Sequence, residues 1–235
     1  MEITPDTHIL LDLGFIRLNA TLVFSWLVMA ICVLGSWLIT RRIASDVSIP
    51  RGQNLLEVIV QGIRGQIREI TQQDPDQYLP FVGTLFLYIA VSNLLTIVPF
   101  YEPPTGSLAT TAALALCVAV AVPYFGISRQ GLWGYLKEYL QPSPLMLPFN
   151  VIGELSRTLA LMVRLFGNIM SGSMIVMILL LIAPLFLPAL MQVLGLLTGL
   201  VQAYIFAVLA MVYIASATRA HSQVSREVPD TQGAD

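Results

Sequence analysis

Long apolar runs separated by short polar segments make up most of this sequence. A helix needs about 20 apolar residues to cross the hydrocarbon core of a bilayer, because only then are all its backbone groups bonded internally. Five runs satisfy this condition, and they predict five membrane-spanning helices. The predicted helices cover residues 20–40, 80–99, 108–127, 148–183 and 189–218.

The last two runs are longer than a bilayer requires. At about 1.5 Å per residue, a helix over 148–183 would extend about 54 Å, against a hydrocarbon core of about 30 Å. We therefore expect this helix and its successor to tilt strongly, to bend, or to begin outside the core. Pro184 and Pro188 interrupt the apolar pattern between them and predict a helical hairpin.

A further segment, 50–72, has a different pattern. Its apolar residues recur at helical spacing, whereas Glu57, Arg64 and Arg68 lie elsewhere on the helix. This pattern predicts an amphipathic helix that lies in the membrane interface. The apolar positions are Leu55, Val58, Ile59, Ile63, Ile67 and Ile70.

Together these elements predict an all-α integral membrane protein. With no internal repeat and no low-complexity linker, we expect a single membrane domain over 1–235, with an N-terminal segment (1–19) outside and a tail (219–235) in the cytoplasm. The first residues carry acids and no basic n-region, so no cleavable signal peptide is expected.

The composition supports this fold class. Hydrophobic residues make up 56% of the chain, charged residues only 11%, and the mean hydropathy is +0.77, which excludes a soluble globular domain. The net charge of −2 leaves no basic surface for a nucleic acid. Cys32 and Cys117 lie inside apolar runs, and the sequence has no metal-ligand spacing and no phosphate-binding loop, so no metal or cofactor is expected.

The distribution of basic residues predicts the orientation. With the N-terminus outside, nearly all arginines and lysines of the loops fall on the cytoplasmic side, as the positive-inside rule requires, and only Arg17 lies outside. The residues on the cytoplasmic side are Arg41, Arg42, Arg51, Arg64, Arg68, Arg129, Lys137, Arg219 and Arg226.

Arg164, in the middle of the fourth span, is the candidate functional residue. An arginine at mid-bilayer costs about 2.5 to 3.5 kcal/mol on insertion scales, and it cannot escape by losing its proton. It must therefore face a carboxylate or a water-filled cavity. One alternative is a charge buried against an acidic neighbour for packing alone. Because the spans contain no mid-membrane acid, we favour a carboxylate on another subunit.

The neighbours of Arg164 form a polar stripe. Arg157, Arg164, Asn168 and Ser171 share one helical face with Leu161. Glu154 precedes Arg157 by three residues, so a local ion pair would make Arg157 an anchored charge rather than a second channel residue. Glu154 could alternatively accept ions that leave toward the cytoplasm.

Gln202 is the polar residue of interest in the fifth span. It shares a face with Gly195, Thr198, Gly199 and Phe206, where the small residues permit close helix packing. A buried amide needs hydrogen-bond partners, and Arg164 across the hairpin is a natural candidate.

Several smaller polar residues could line an aqueous path from outside. Serine and threonine can also bond to their own helix backbone, so for each residue taken alone the structural explanation is favoured. The candidates are Ser92, Asn93, Thr110, Thr111 and Ser173.

Three functions are open to a membrane protein with these residues. A secondary transporter would use Arg164 to bind an anionic substrate, but such folds usually contain inverted repeats, which the sequence lacks. An intramembrane enzyme would need a nucleophile with a base, and none is present. The third, a channel subunit of an ion-translocating complex, requires only Arg164, a polar path and a partner carboxylate.

Several motifs resemble one family in particular. The stretch RLFGN at 164–168, preceded by PSPLMLPFNVIGELSR, closely resembles the signature of ATP synthase subunit a. Further resemblances are LFLYIAVSNLLTIVP (85–99), PPTGSLATTAALAL (103–116) and VQAYIFAVLAMVYIASA (201–217). The resemblance covers roughly residues 50–218, with the motifs in the order of the family.

The resemblance implies a non-catalytic stator subunit of an F-type ATP synthase. In that family two long tilted helices wrap the rotor ring of c subunits, and Arg164 would meet the rotor carboxylate. Asn168 and Gln202 match positions beside that arginine. The resemblance also implies b-type peripheral stalk subunits, an indirect link to the F1 sector, proton transport through two offset half-channels, and a bacterial inner membrane.

One departure from the family concerns the ion. Many relatives carry an ionisable residue in the outer half-channel, where this sequence has Ser173 and Gly195. Water and hydroxyl groups could carry protons there instead. A channel without proton-accepting side chains could equally pass a hydrated cation, so a Na⁺-translocating complex is the alternative.

Overall fold

The computed structural model describes residues 9–12, 17–41, 51–98, 101–140, 146–183 and 186–224. A short antiparallel pair of strands, β1 (Ile9–Asp12) and β2 (Arg17–Asn19), precedes the helices. The helices are α1 (Ala20–Thr40), α2 (Arg51–Thr71), α3 (Leu79–Leu94), α4 (Leu108–Leu140), α5 (Met146–Ile182) and α6 (Leu187–Val224).

Five of these helices are long and apolar enough to cross a membrane, which confirms the predicted all-α membrane fold. Their membrane-compatible parts are Ala20–Thr40, Leu79–Ile97, Leu108–Arg129, Pro148–Ile182 and Leu187–Thr218. The small strand pair is an addition that the apolar pattern did not predict.

Helix α4 runs beyond its predicted end at 127. The backbone breaks at Gly131, whose φ of +76° suits a residue without a Cβ, and a second helical stretch continues to Leu140. The sequence pattern predicted only the apolar part of this helix, because the continuation carries polar residues.

The amphipathic segment forms α2, and its apolar face packs on the bundle. Ile67 is buried with Tyr78, Met211 and Ile214, whereas Arg68 on the opposite face is exposed. Two polar contacts hold α2 in place. Arg64 forms an ion pair with Asp76, and the hydroxyl of Tyr204 on α6 donates to Gln66 Oε1 at 3.0 Å.

A buried apolar cluster lies where α3, α4, α5 and α6 meet, and we refer to it as the central cluster. Its buried members are Leu85, Ile89, Ala90, Ala115, Val118, Leu161, Leu165, Ala203, Phe206 and Ala210. Helices α5 and α6 form the predicted hairpin. Pro188 lies in the first turn of α6, where a proline is tolerated, and Pro184 lies outside the described residues.

Candidate functional site

Arg164 lies on α5, between two buried residues of its own helix. Leu161 and Leu165 are 1% and 0% exposed and belong to the central cluster, whereas Arg164 itself is exposed. Within the described part of the chain, its guanidinium makes no hydrogen bond and no ion pair. The charge is therefore presented at the surface of the subunit.

The polar stripe of α5 runs along the border between the buried and exposed faces. Leu161 is buried and Asn168 is half-buried, whereas Arg157 and Ser171 are exposed. Several small residues lie near Arg164 on α5, since Ser156, Ala160, Gly167 and Ser171 precede or follow it by one or two turns. A Cβ added at Gly167 would meet nothing within 4 Å.

A cavity of about 470 Å³ opens between α3, α5 and α6 near the hairpin turn, and we refer to it as the turn-side cavity. Its polar lining comes from Asn93, Thr96, Asn168, Ser173 and Gln192. Gly172, Gly195 and Gly199 also line it. No described residue in this lining carries a carboxylate, an imidazole or an amine.

A second cavity, of about 370 Å³, opens between α4, α5 and α6 near the other end of the hairpin, and we refer to it as the end-side cavity. Its polar lining includes Asn150, Glu154, Arg157, Thr158 and Ser216. This lining contains both signs of charge, unlike that of the turn-side cavity.

The two cavities are separated along the hairpin by the segment that contains Arg164. On α5 the end-side cavity reaches Leu161 and the turn-side cavity begins at Asn168. At about 1.5 Å per residue these positions are about 10 Å apart along the helix. Arg164 lies between them, and on α6 Gln202 lies in the corresponding interval between Gly199 and Tyr213.

The contact made by Arg157 differs from the predicted ion pair. Its guanidinium lies over the ring of Tyr213, 5.6 Å from the centroid, and makes no ion pair with Glu154. The aromatic face is available because α6 passes directly across this part of α5, which is a relation that sequence spacing on one helix cannot reveal.

The predicted partnership between Gln202 and Arg164 is also absent. Gln202 is 6% exposed, and its Nε2 has no hydrogen-bond partner in the described residues. The amide is buried on α6, whereas the guanidinium of Arg164 faces out of the subunit. A buried donor without a partner costs about 1–3 kcal/mol, so a contribution to stability does not explain why a glutamine lies at this position.

The candidate serines bond locally. Ser171 donates to Asn168 O at 3.2 Å and Ser173 to Met170 O at 2.9 Å, and both remain exposed. Buried Ser92 lies 3.5 Å from the phenol oxygen of Tyr101. Burial raises the pKa of Tyr101 to about 12, so this phenol keeps its proton at physiological pH.

Two asparagines bridge to the backbone of α6. Asn93 Nδ2 donates to Gly199 O at 2.8 Å, and Asn168 Nδ2 approaches Thr198 O at 3.5 Å. Asn93 was predicted as a lining residue, and it does line the turn-side cavity, but it is also only 3% exposed.

Sequence reasoning missed several lining residues of the two cavities, among them Thr96, Gln192 and Tyr213. Gln192 Nε2 donates to Thr96 O at 3.0 Å and thereby joins α6 to the end of α3. A polar residue near a helix end forms no pattern that distinguishes a cavity residue from a surface residue. The one available signal was the spacing of Gln192, which precedes Gly195 by one turn on the same face of the helix.

Among the described residues no group of three histidine, cysteine or acidic side chains could hold a metal ion. Cys32 and Cys117 are free thiols. The features of the site therefore reduce to an exposed arginine, two cavities and a buried amide.

Fold and site together define a multi-pass helical membrane protein with a charged residue inside a span. The family model of the ATP synthase A chain matches residues 22–215. A protein named ATP synthase subunit a 2 from Acaryochloris marina is 63% identical over 219 residues, which cover 93% of this chain and 94% of the relative.

Two further relatives agree. ATP synthase subunit a from Albidiferax ferrireducens is 59% identical over 93% of this chain and 95% of its own length. ATP synthase subunit a from Nitrosospira multiformis is 53% identical over the whole of this chain and 94% of its own length. The chain belongs to the ATP synthase subunit a family, and it is thus a membrane subunit of the Fo sector of an F-type ATP synthase. Membership of this family does not support the two alternative functions, a secondary transporter and an intramembrane enzyme.

Proposed function

We propose that this subunit is the stator half of the ion channel, in which Arg164 meets the carboxylate of a c-type rotor subunit. The separation of the two cavities on either side of Arg164 is the observation that carries the proposal. An ion that enters one cavity cannot reach the other through the subunit without passing the level of a fixed positive charge. It can instead cross that level on a rotor carboxylate.

The positive-inside bias assigns a side of the membrane to each cavity. With the N-terminus outside, the end of α5 at Ile182 and the start of α6 at Leu187 lie on the outer side, and the C-terminus lies in the cytoplasm. The turn-side cavity is then the outer half-channel and the end-side cavity the inner one. The membrane is the bacterial inner membrane.

Arg164 suits a rotor carboxylate for electrostatic reasons. A guanidinium keeps its charge at every physiological pH, and it stabilises the ionised form of a nearby carboxylate. A bound proton is therefore released as the carboxylate approaches. The small residues around Arg164, which include Ala160 and Gly167, allow the rotor helix to come close.

Asn168 and Gln202 hydrate and orient Arg164 when the rotor helix is in place. Asn168 lines the turn-side cavity, and the free amide of Gln202 is a donor available to a water or to the carboxylate. Ser171, Ser173, Ser92 and Asn93 contribute to the outer path. Glu154 and Arg157 contribute to the inner one.

The subunit itself is non-catalytic and couples ion flow to rotation. ATP is made or hydrolysed in the F1 sector, which this chain reaches only through the assembled complex and its b-type peripheral stalk. The transported ion is the proton. The Na⁺-translocating form is a second candidate, because none of the described residues that line the turn-side cavity carries a carboxylate, an imidazole or an amine.

ATP-driven proton uptake by the reconstituted complex tests this proposal. Arg164→Ala should abolish uptake while the complex still assembles. Arg164→Lys should also fail, because a compact ammonium does not reproduce a planar guanidinium. Arg129→Ala is the matched control, since Arg129 donates to Gln77 and lines neither cavity. Normal pumping by the Arg164→Ala complex would overturn the assigned role.

A further inference from the structure

Helices α3 and α6 are in close contact at Asn93 and Gly199. A Cβ built on Gly199 would lie 3.0 Å from Asn93 Cβ and 3.1 Å from Asn93 Cγ. These distances are shorter than ordinary carbon contacts, which are about 3.5–4.0 Å. Only glycine therefore allows the side chain of Asn93 to lie directly on the backbone of α6.

The side chain of Asn93 is held from two directions. Its Nδ2 donates to Gly199 O at 2.8 Å, and its Oδ1 accepts from Thr105 Oγ1 at 3.1 Å. Thr105 is fully buried in the short turn that precedes α4. The amide therefore has one orientation and connects three separate segments of the chain.

This contact lies at the boundary between the turn-side cavity and the central cluster. Asn93 and Gly199 both line the cavity. One turn further along the same face of α6, Ala203 is 0% exposed and already belongs to the central cluster. Ala210 follows two turns later, also fully buried in that cluster.

The members of the central cluster are all apolar, so they offer water no hydrogen-bond partner. Water and ions enter such a region only where the packing is open, because an apolar cavity of modest size stays dry. The packing of Asn93 against Gly199 decides whether the cavity ends at this level or continues inward.

We propose that Asn93 is a positioning residue whose amide, pressed on Gly199, closes the inward end of the turn-side cavity. In terms of the proposed half-channel, the residue sets how deep the outer path reaches. The role of Asn93 concerns the cavity wall and is tested by thiol access, whereas the role of Arg164 is tested by pumping. Either role can therefore fail while the other stands.

Silver ion accessibility of introduced cysteines in the intact complex tests this proposal. The native Cys32 and Cys117 are replaced by alanine, and a single cysteine is placed at Ala203 or Ala210. Ag⁺ is applied from the outer side, and thiols that remain free are then alkylated in the denatured chain. Only a hydrated thiol ionises readily to the reactive thiolate, so the rate reports the entry of water.

With Asn93 intact, both cysteines should react slowly. In the Asn93→Ala background, the thiol of Ala203→Cys should react at least about tenfold faster, because it forms the reactive thiolate readily once water reaches it. The thiol of Ala210→Cys should stay slow. An unchanged rate at 203, or an equal gain at both positions, would overturn the proposal.

Two milder changes keep the test decisive where Asn93→Ala prevents assembly. Gly199→Ala adds one methyl group and forces Asn93 away from α6, so it should raise access at 203 as well. Gly83→Ala is its control, because Gly83 is a buried helical glycine with nothing within 4 Å of an added Cβ. Equal rates in the two variants would contradict the assigned contact.

Discussion

The guanidinium of Arg157 on α5 lies over the ring of Tyr213 on α6, 5.6 Å from the ring centroid. Both residues line the end-side cavity. Such a contact stabilises by about 0.5–2 kcal/mol, depending on how much water is excluded. It joins the two arms of the hairpin and holds a positive charge against one wall of the cavity, beside Glu154.

The contact predicts different effects of two substitutions at Tyr213. Tyr213→Phe keeps the aromatic face, so ATP-driven pumping should stay within about twofold of the parent, as a cation–π contact requires only the ring. Tyr213→Leu removes the face and releases the guanidinium into the cavity. Pumping should then fall by about three- to tenfold, which corresponds to about 1 kcal/mol. Equal rates for the two variants would show that the ring face is unimportant.

Gln202 should separate assembly from transport. Gln202→Leu removes a buried donor that has no partner among the described residues, so the amount of assembled complex should be unchanged or higher. Coupled pumping should nevertheless fall by at least about tenfold, which equals about 1.4 kcal/mol of lost transition-state stabilisation. Gln61→Leu, which breaks an exposed bond to Glu57 within α2 and away from both cavities, is the control. Full pumping by Gln202→Leu would refute a role at the site.

Gly167 should report the approach of the rotor. No described atom lies within 4 Å of a Cβ built at this position, so Gly167→Leu should leave the folding of the chain intact. The larger side chain projects beside Arg164 and would keep a partner helix away, because close packing in membranes depends on small residues. We expect normal insertion and little or no pumping. Gly35→Leu on α1, which also has open space, should pump normally.

The transported ion is open to direct measurement. Because no carboxylate, imidazole or amine lines the described part of the turn-side cavity, proton flow depends on water and hydroxyl groups there. ATP-driven acidification that a protonophore abolishes, with no dependence on Na⁺, is the result expected for a proton path. Accumulation of ²²Na⁺ that persists with protonophore would establish the sodium alternative.

The helices themselves could be predicted from the sequence because bilayer thickness imposes a simple length rule. The predicted range 20–40 coincides with α1, and the range 148–183 lies within two residues of α5 at each end. The length rule gives no information about helical segments that are too polar to lie in the membrane. The continuation of α4 past Gly131 carries polar residues, so no membrane criterion could have found it.

The site was predictable only as far as single helices allow. Arg164 is identified by the free-energy cost of a charge in the middle of a bilayer, and this cost follows from one helix without knowledge of its neighbours. The contact of Asn93 with Gly199 joins residues 106 positions apart, and Tyr213 reaches Arg157 across the hairpin. Both depend on which helices become neighbours, and a pattern within one helix contains no such information.

The hydrogen bond from Tyr204 to Gln66 has a mechanical consequence. It fastens the middle of α6 to α2, and α2 is in turn anchored by the ion pair between Arg64 and Asp76. A sideways push on the hairpin is therefore not borne by α5 and α6 alone, but spreads into a helix that runs along a different face of the bundle. For the proposed stator role beside a rotor ring, this hydrogen bond adds torsional stiffness to the subunit, and its loss should let part of the transmitted energy dissipate as bending of the hairpin.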